Sequence, residues 1–201
     1  MTHVMAHGRR LPRPRRAAAG RGWRSVAAVA AATLLTGCGL IGGTATFRLN
    51  VPDVMTVTSP SLSGGALGPP FTCGGPGKNP GIHWSGAPAG TKSLALVMDD
   101  AAAPITPYIY WIVFDIGPLT TDIQQGTLPP GARQAQNSEG TTGYGPPCPA
   151  NSGHSFRFTV YALGRMLRLP NGASLETAWS SIAQTAIARG RLTTAPARAS
   201  R

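Results

Sequence analysis

The sequence predicts a mainly β domain with long loops and one helix near its C-terminus. Residues 93–98 form a short apolar run, and residues 108–116 form a longer run rich in aromatic and β-branched side chains, as is typical of strands. In residues 156–162 every second side chain is apolar, which is the period of a half-buried strand. Three such runs separated by turn-rich segments indicate a β-sandwich or a barrel-like sheet.

The segments around these runs supply the remaining elements. Residues 46–51 are predicted as a first strand, whereas residues 60–80 and 120–139 have the composition of loops rather than helices. A stiff, proline-rich loop at residues 144–153 leads into the third run and places His154 where the loop enters the sheet. A helical period follows, with Ser174 as a suitable N-cap. The apolar face of this helix consists of Leu175, Ala178, Trp179, Ile182, Ala186 and Ile187.

The first 37 residues have the layout of a bacterial lipoprotein signal peptide. Seven arginines and no acidic residue occupy the first 24 positions, and an apolar run at 26–35 follows, too short to span a bilayer. The run ends in Leu-Thr-Gly-Cys, so Cys38 is the predicted lipidation site and residues 38–45 form a tether. An ordinary cleaved signal is the alternative, and a twin-arginine signal fits poorly. We expect a lipid-anchored protein on the extracytoplasmic face of the cell membrane.

The formal net charge of +11 does not indicate a nucleic-acid-binding surface. Seven arginines lie in the leader and four in the last 13 residues, whereas residues 38–188 contain seven basic and seven acidic side chains. A neutral body without a basic stripe argues against nucleic acid as a partner. The arginine-rich terminal segments of the chain, including a predicted tail at 193–201, are expected to favour an anionic membrane surface or to be solvated.

Two cysteines, Cys73 and Cys148, remain once Cys38 is assigned to lipid. Both lie in loops rich in glycine and proline, and an exported chain meets an oxidising compartment, so we predict a disulfide between them. Two free thiols are the alternative. No CxxC pair and no paired histidines accompany these cysteines, so no metal site is expected.

No enzyme signature is present in the sequence. Residues 74–78 lack the spacing of a phosphate-binding loop, and neither a GxSxG elbow nor an HExxH helix occurs. We therefore expect no catalytic residue, no cofactor and no enzymatic activity. Considered singly, Asp99 and Asp100 are better explained as turn caps, His154 as a structural histidine and Tyr110 as a core or rim residue.

The order of several short motifs is more specific than any one of them. They are Phe71-Thr-Cys-Gly-Gly, Asn79-Pro80, Trp84, the run from Pro88 to Leu96, Asp99-Asp100 through Pro104, Trp111, Tyr144-Gly-Pro-Pro-Cys-Pro, Gly153-His154 and Tyr161-Ala-Leu. This set resembles the phosphatidylethanolamine-binding protein family, also called Raf kinase inhibitor-like proteins, over residues 46–192. The resemblance implies a β-sandwich flanked by short helices, with a small pocket for phosphate-like head groups.

The pocket of that family is matched only in part on its first two motifs. Asp100 and Pro104 match the ends of the family's D-P-D-A-P motif, but Ala102 replaces its second aspartate. Tyr110 occupies the position of the family's histidine before Trp111, so a titratable donor is lost. The Tyr110 hydroxyl remains as a different donor.

The family's H-R-Y run is also altered. His154 matches its histidine, whereas Ser155 replaces the arginine and Phe156 the tyrosine. The loop amides near Gly145 are expected to remain available to a ligand. The resemblance thus implies a ligand site formed by Asp100, Tyr110, Tyr144, Gly145 and His154.

These observations predict a non-catalytic protein that binds a small anionic or phospholipid head-group-like ligand in an altered pocket. Each charge-assisted hydrogen bond to an anion is worth about 1.5 to 3 kcal/mol, so losing two or three donors should weaken binding by orders of magnitude. The alternative is a protein-interaction module, like a protease or kinase inhibitor, that acts through the proline-rich loop. The sequence does not specify its protein partner.

Overall fold

Two antiparallel β-sheets and one α-helix make up the domain in this computed structural model. The structure describes residues 49–62, 65–101, 107–148 and 153–195, all within one compact unit, Ala45–Arg201. The predicted signal peptide, the lipidation site Cys38 and the tether lie outside the described residues. So do Ala102, Pro104 and the end of the basic tail.

The larger sheet has five strands and the smaller sheet has three. The large-sheet strands are β3 (Ser93–Asp100), β4 (Ile109–Ile116), β6 (Arg133–Gln134), β7 (Phe156–Leu163) and β8 (Ala186–Thr193), in the order β6-β4-β3-β7-β8. The small-sheet strands are β1 (Thr56–Thr58), β2 (Ile82–Ser85) and β5 (Asp122–Ile123), in the order β1-β2-β5. Helix α1 spans Leu175–Thr185. The predicted mainly β class with a C-terminal helix is confirmed.

The register of β3 against β7 fixes the two ends of the large sheet. Asp100 pairs with Phe156 at one end, and Ser93 pairs with Leu163 at the other. Strand β4 runs antiparallel to β3, with Leu94 opposite Ile116. The proline-rich loop therefore delivers His154 to the Asp100 end of the sheet.

Apolar clusters cover both faces of the large sheet. One lies between the two sheets and includes Met98, Trp111 and Phe158, and the other packs α1 against the outer face through Trp179 and Ile182. Strand β7 is consequently buried on both sides: Thr159 is 3% exposed and Tyr161 is 5% exposed. The prediction that β7 is half-buried is wrong, because the helix covers the face that the alternation of apolar and polar residues assigned to solvent.

The helix begins as predicted but ends earlier. The Ser174 hydroxyl accepts a hydrogen bond from the Thr177 amide at 3.2 Å, which is N-cap geometry. Ala186 and Ile187, which the helical period included, begin β8 instead. Pairing with β7 gives their backbone the partners that a longer helix would have supplied. Strand β8 ends at Thr193, one residue beyond the predicted domain end.

The predicted first strand at 46–51 is absent from the part of it that the structure describes. Residues 49–51 form no strand and residues 46–48 lie outside the described part, so β1 is the first strand that the structure describes. Two short 3-10 turns, Pro60–Leu62 and Pro69–Phe71, occur in the predicted loop at 60–80. Within the described residues, no helix has the length and apolar character needed to cross a membrane.

Candidate functional site

Two adjacent aspartates end β3 and serve different partners. Asp99 forms an ion pair with Arg157, whose Nε donates to Asp99 Oδ1 at 3.0 Å and whose Nη2 donates to the other oxygen. Burial raises the pKa of Asp99, and the Arg157 guanidinium opposes that shift. Asp100 binds His154 instead. Neighbouring side chains of a strand lie on opposite faces, so the two carboxylates meet different partners. Arg157 engages both oxygens of Asp99, and His154 engages Oδ2 of Asp100.

His154 is held by a buried carboxylate and is open to solvent. Its Nδ1 lies 2.6 Å from Asp100 Oδ2, and the two side chains are 43% and 6% exposed, respectively. Because a carboxylate accepts, Nδ1 carries the proton in this pair. Nε2 makes no hydrogen bond to any residue of the described ranges, so it is the ring nitrogen that a ligand can reach. Asp100 therefore orients the ring and does not block it.

Tyr110 contributes a neutral hydroxyl to the same cluster. Its ring lies 4.8 Å from that of Tyr108 and 5.4 Å, edge-on, from that of Phe156. Burial, and then the charge of Asp100, raise the pKa of Tyr110 to about 12. The hydroxyl is therefore protonated at neutral pH and can donate to an anion. The Asp100 amide donates to the Tyr108 carbonyl at 2.9 Å, so the paired strands β3 and β4 hold Tyr110 and Asp100 close together.

Tyr144 and Gly145 form a wall whose polar groups are already engaged. The Tyr144 hydroxyl donates to the Phe71 carbonyl at 2.6 Å, and the Gly145 amide donates to the Tyr110 carbonyl at 2.8 Å. Burial raises the pKa of Tyr144 well above its usual value. Its ring packs edge-on against Trp111 at 5.5 Å. The Gly145 amide, which we expected to be available to a ligand, is not available in this arrangement.

A disulfide and a backbone hydrogen bond brace this wall. Cys73 and Cys148 are joined as the sequence predicted, with their Cα atoms 5.5 Å apart. The Cys73 amide also donates to the Pro147 carbonyl at 3.2 Å. The proline-rich loop is therefore fixed to the loop at 71–77 by the disulfide and by the hydrogen bonds of Tyr144 and Pro147.

Asn137 supports the site from beneath, and sequence analysis missed it. Its Oδ1 accepts hydrogen bonds from the Glu139 amide at 3.0 Å and from the Thr141 amide and hydroxyl, both at 3.1 Å. Those three donors fix the orientation of the side-chain amide, so Nδ2 lies against Gly145 without a partner among the described residues. A Cβ at position 145 would be only 2.6 Å from Nδ2. A glycine facing a buried asparagine leaves no periodic signal in the sequence.

The cluster therefore offers one imidazole and one phenol, backed by a buried carboxylate. Ser155 and Phe156 follow His154, and Phe156 is 4% exposed and supplies a ring but no donor. Among the described residues, no group of three His, Cys, Asp or Glu side chains could hold a metal ion. Such a set can bind a small group that accepts hydrogen bonds.

Comparison with known proteins identifies the family and the fold. Residues 58–195 match the model of the family described as Phosphatidylethanolamine-binding protein. The chain belongs to the phosphatidylethanolamine-binding protein family. Two curated relatives and one solved structure are similar to this chain across most of their own length.

One relative is a UPF0098 protein from Methanothermobacter thermautotrophicus, 40% identical over 111 residues, which are 53% of this chain and 74% of the relative. Another is "Putative lipoprotein LppC" from Mycobacterium tuberculosis, 41% identical over 143 residues, or 70% of this chain and 71% of the relative. The crystal structure of E. coli YbcL, described as a new member of the mammalian PEBP family, superposes with a TM-score of 0.63 at 28% identity. It covers 70% of this chain and 96% of YbcL.

Proposed function

We propose that this phosphatidylethanolamine-binding protein family member binds a small phosphate-like anion without catalysing a reaction on it. The observation that carries the proposal is the His154 ring, which buried Asp100 holds through Nδ1 while the opposite edge remains open to solvent. The neutral hydroxyl of Tyr110 belongs to the same cluster. The family's name, which refers to a phospholipid with a phosphate head group, is consistent with such a ligand.

Two groups can contribute donors to an anion at this site. Tyr110 donates through its hydroxyl, and because Nδ1 of His154 already donates to Asp100, Nε2 donates in the doubly protonated form of the ring. The resulting cation is balanced by the Asp100 carboxylate and by the ligand. Two donors of this kind support a dissociation constant on the order of 1 mM, which is equivalent to about 4 kcal/mol.

Calorimetric and NMR titration of the full-length protein with inorganic phosphate and with phosphoethanolamine tests the proposal. We expect weak, saturable binding that shifts the His154 ring signals. Equal binding of both ligands would place recognition on phosphate, whereas preference for phosphoethanolamine would add the amine. Tight binding of either ligand would show that the altered positions matter less than we argue.

Matched histidine variants locate the binding. His154→Gln should weaken phosphate binding at least 10-fold, the loss expected for one charge-assisted hydrogen bond. His83→Gln is the control, since His83 is exposed on β2 of the other sheet, where it lies opposite Thr58 and Asp122. An unchanged affinity in His154→Gln would refute the site. Phosphorus NMR should find the phosphoethanolamine intact after long incubation, because we assign no catalysis.

We also propose that Cys38 carries the lipid that anchors the protein on the extracytoplasmic face of the membrane. Support comes from the sequence around Cys38 and from the relative named as a lipoprotein. Mass spectrometry of the membrane fraction should find a diacyl-modified Cys38 at the start of the mature chain, and Cys38→Ala should abolish that mass. Recovery of the intact leader on the mature protein would contradict the anchor.

A protein-binding role for the proline-rich loop is the second candidate. The brace formed by Cys148, Cys73 and Tyr144 favours it, because a preorganised loop loses little conformational entropy on binding. Inhibition assays against proteases and kinases would test this role. Pro147→Ala should weaken inhibition while His154→Gln leaves it unchanged, and the opposite pattern would assign any inhibition to the anion site.

A further inference from the structure

The end of the large sheet opposite His154 carries exposed apolar side chains. Strand register brings together the start of β3, the end of β4 and the end of β7, through Ser93 opposite Leu163 and Leu94 opposite Ile116. Of the six large apolar side chains that are exposed among the described residues, three follow or begin strands at this end. They are Leu119 at 94%, Met166 at 47% and Ile187 at 37% exposure.

Three exposed cations lie at the same end: Lys92, Arg165 and Arg168. None forms an ion pair with a described residue. The nearby carboxylate of Asp115 is 5% exposed and accepts the amides of Leu167 at 2.7 Å and Arg168 at 3.0 Å, so it holds the loop. We call Lys92, Leu119, Arg165, Met166, Arg168 and Ile187 the basic end.

The loop that carries the arginines is fixed at this position. The Lys92 amide donates to the Leu163 carbonyl, and the Ser93 hydroxyl donates to the Arg165 carbonyl, both at 2.8 Å. A Cβ built on Gly164 would lie 3.5 Å from Ile187 Cγ2, which places the loop against the start of β8. The cations and the apolar side chains therefore belong to one surface.

The preceding part of the chain joins the domain at the basic end. Asp53 bridges Arg189 in the parallel sense, so the backbone from Asp53 back to Leu49 runs toward the start of β8. The Leu49 carbonyl accepts a hydrogen bond from Arg189 Nη1 at 2.6 Å, and Leu49 packs with Leu167 and Ala186 against the helix-side cluster. Leu49, the first residue that the structure describes, therefore lies at this end.

We propose that the basic end lies on an anionic lipid bilayer. Cations without ion pairs attract anionic head groups, and the neighbouring apolar side chains gain free energy where they enter the interface. Leu49, through which any anchor in the preceding chain would connect to the domain, lies at this same end. Strand β3, with eight residues, is roughly 25 Å long at about 3.3 Å per residue, so the His154 site would face the aqueous phase. This proposal is independent of what the site binds.

Hydrogen exchange of the full-length protein with vesicles tests this orientation. Phosphatidylglycerol-containing vesicles should slow amide exchange at residues 91–92, 117–121, 164–168 and 186–188. Pure phosphatidylcholine vesicles should not, and high salt should reverse the effect, since salt screens exposed charges. Equal protection by both vesicle types, or protection around residues 107–110 and 153–156 instead, would overturn the proposal.

Variants separate the basic end from any contribution of the leader. Lys92→Ser, Arg165→Ser and Arg168→Ser together should weaken the vesicle affinity measured at this end by roughly 100-fold. Lys78→Ser is the charge control. Leu119→Ser with Met166→Ser should reduce protection, whereas Val54→Ser with Leu128→Ser, exposed elsewhere, should not.

Circular dichroism shows whether the triple variant folds, and the single variant Arg165→Gln, with a smaller expected loss, replaces it if it does not. Protection that persists in a folded triple variant, or in Arg165→Gln at every salt concentration, would overturn the proposal.

Discussion

Removing the disulfide should destabilise the whole domain, although it lies at the wall beside His154. Cys73 and Cys148 are 75 residues apart in sequence. A loop of that length costs the unfolded chain about 4.5 kcal/mol of conformational entropy when it is closed. In the native state, the Tyr144 and Cys73 hydrogen bonds still connect the two loops. We therefore expect Cys73→Ala with Cys148→Ala to remain folded, with its unfolding free energy about 4 kcal/mol lower.

Urea unfolding and thermal melting measure that loss. The midpoint temperature should fall by roughly 8–16 °C at 2–4 °C per kcal/mol, and the urea dependence should steepen because the unlinked chain exposes more surface. Reductant should destabilise the parent protein by the same amount and should leave the double variant unchanged. A loss below about 1 kcal/mol with complete bond formation in the parent would refute the loop-entropy argument.

Three further perturbations test other contacts. Gly145→Ala should lower the unfolding free energy by about 1–3 kcal/mol through overpacking, since the new Cβ would lie 2.6 Å from Asn137 Nδ2. Gly68→Ala is the control, because its Cβ would have its nearest contact at 3.6 Å and should cost less. Equal losses of the two variants in urea unfolding would contradict the overpacking argument. Burial raises the pKa of all four tyrosines, that of Tyr110 to about 12. Ultraviolet titration of the folded protein should therefore show little tyrosinate at pH 10, and the unfolding free energy should fall as the pH rises beyond about 10. Tyrosines that ionise in the folded protein as they do in a free peptide would contradict this expectation. Hydrogen bonds from Arg189 and Arg191 hold the pKa of Asp53 well below its usual value. Asp53→Asn should therefore lower the unfolding free energy by roughly 0.5–1 kcal/mol above pH 4, a figure discounted for solvent exposure, and by progressively less as acid protonates Asp53 in the parent protein. A loss that is the same at every pH would show that the charge of Asp53 does not contribute to stability.

Local sequence patterns were sufficient to predict the central strands of the large sheet but not its edge strands. Strands β3 and β4 are apolar runs of adequate length, and Ser174 gives the helix start a local signal. Strand β8 has no such signal, because Ala186 and Ile187 continue the helical period until pairing with β7 overrides it. The burial of Tyr161 likewise depends on Trp179, whose ring lies 5.9 Å away across the helix interface. Edge strands are specified by their neighbours, which a local window does not contain.

The sequence by itself determined the family and the β class, because those follow from motif order and local periodicity, and it proposed candidate residues for the site. Only the tertiary structure decided which polar groups remain available there. Asp100 and His154 are 54 positions apart and meet at 2.6 Å, whereas the Tyr144 hydroxyl and Gly145 amide are engaged by Phe71 and Tyr110. A hydrogen-bonding group in a sequence has no assigned partner, and folding assigns partners by bringing distant strands and loops into contact.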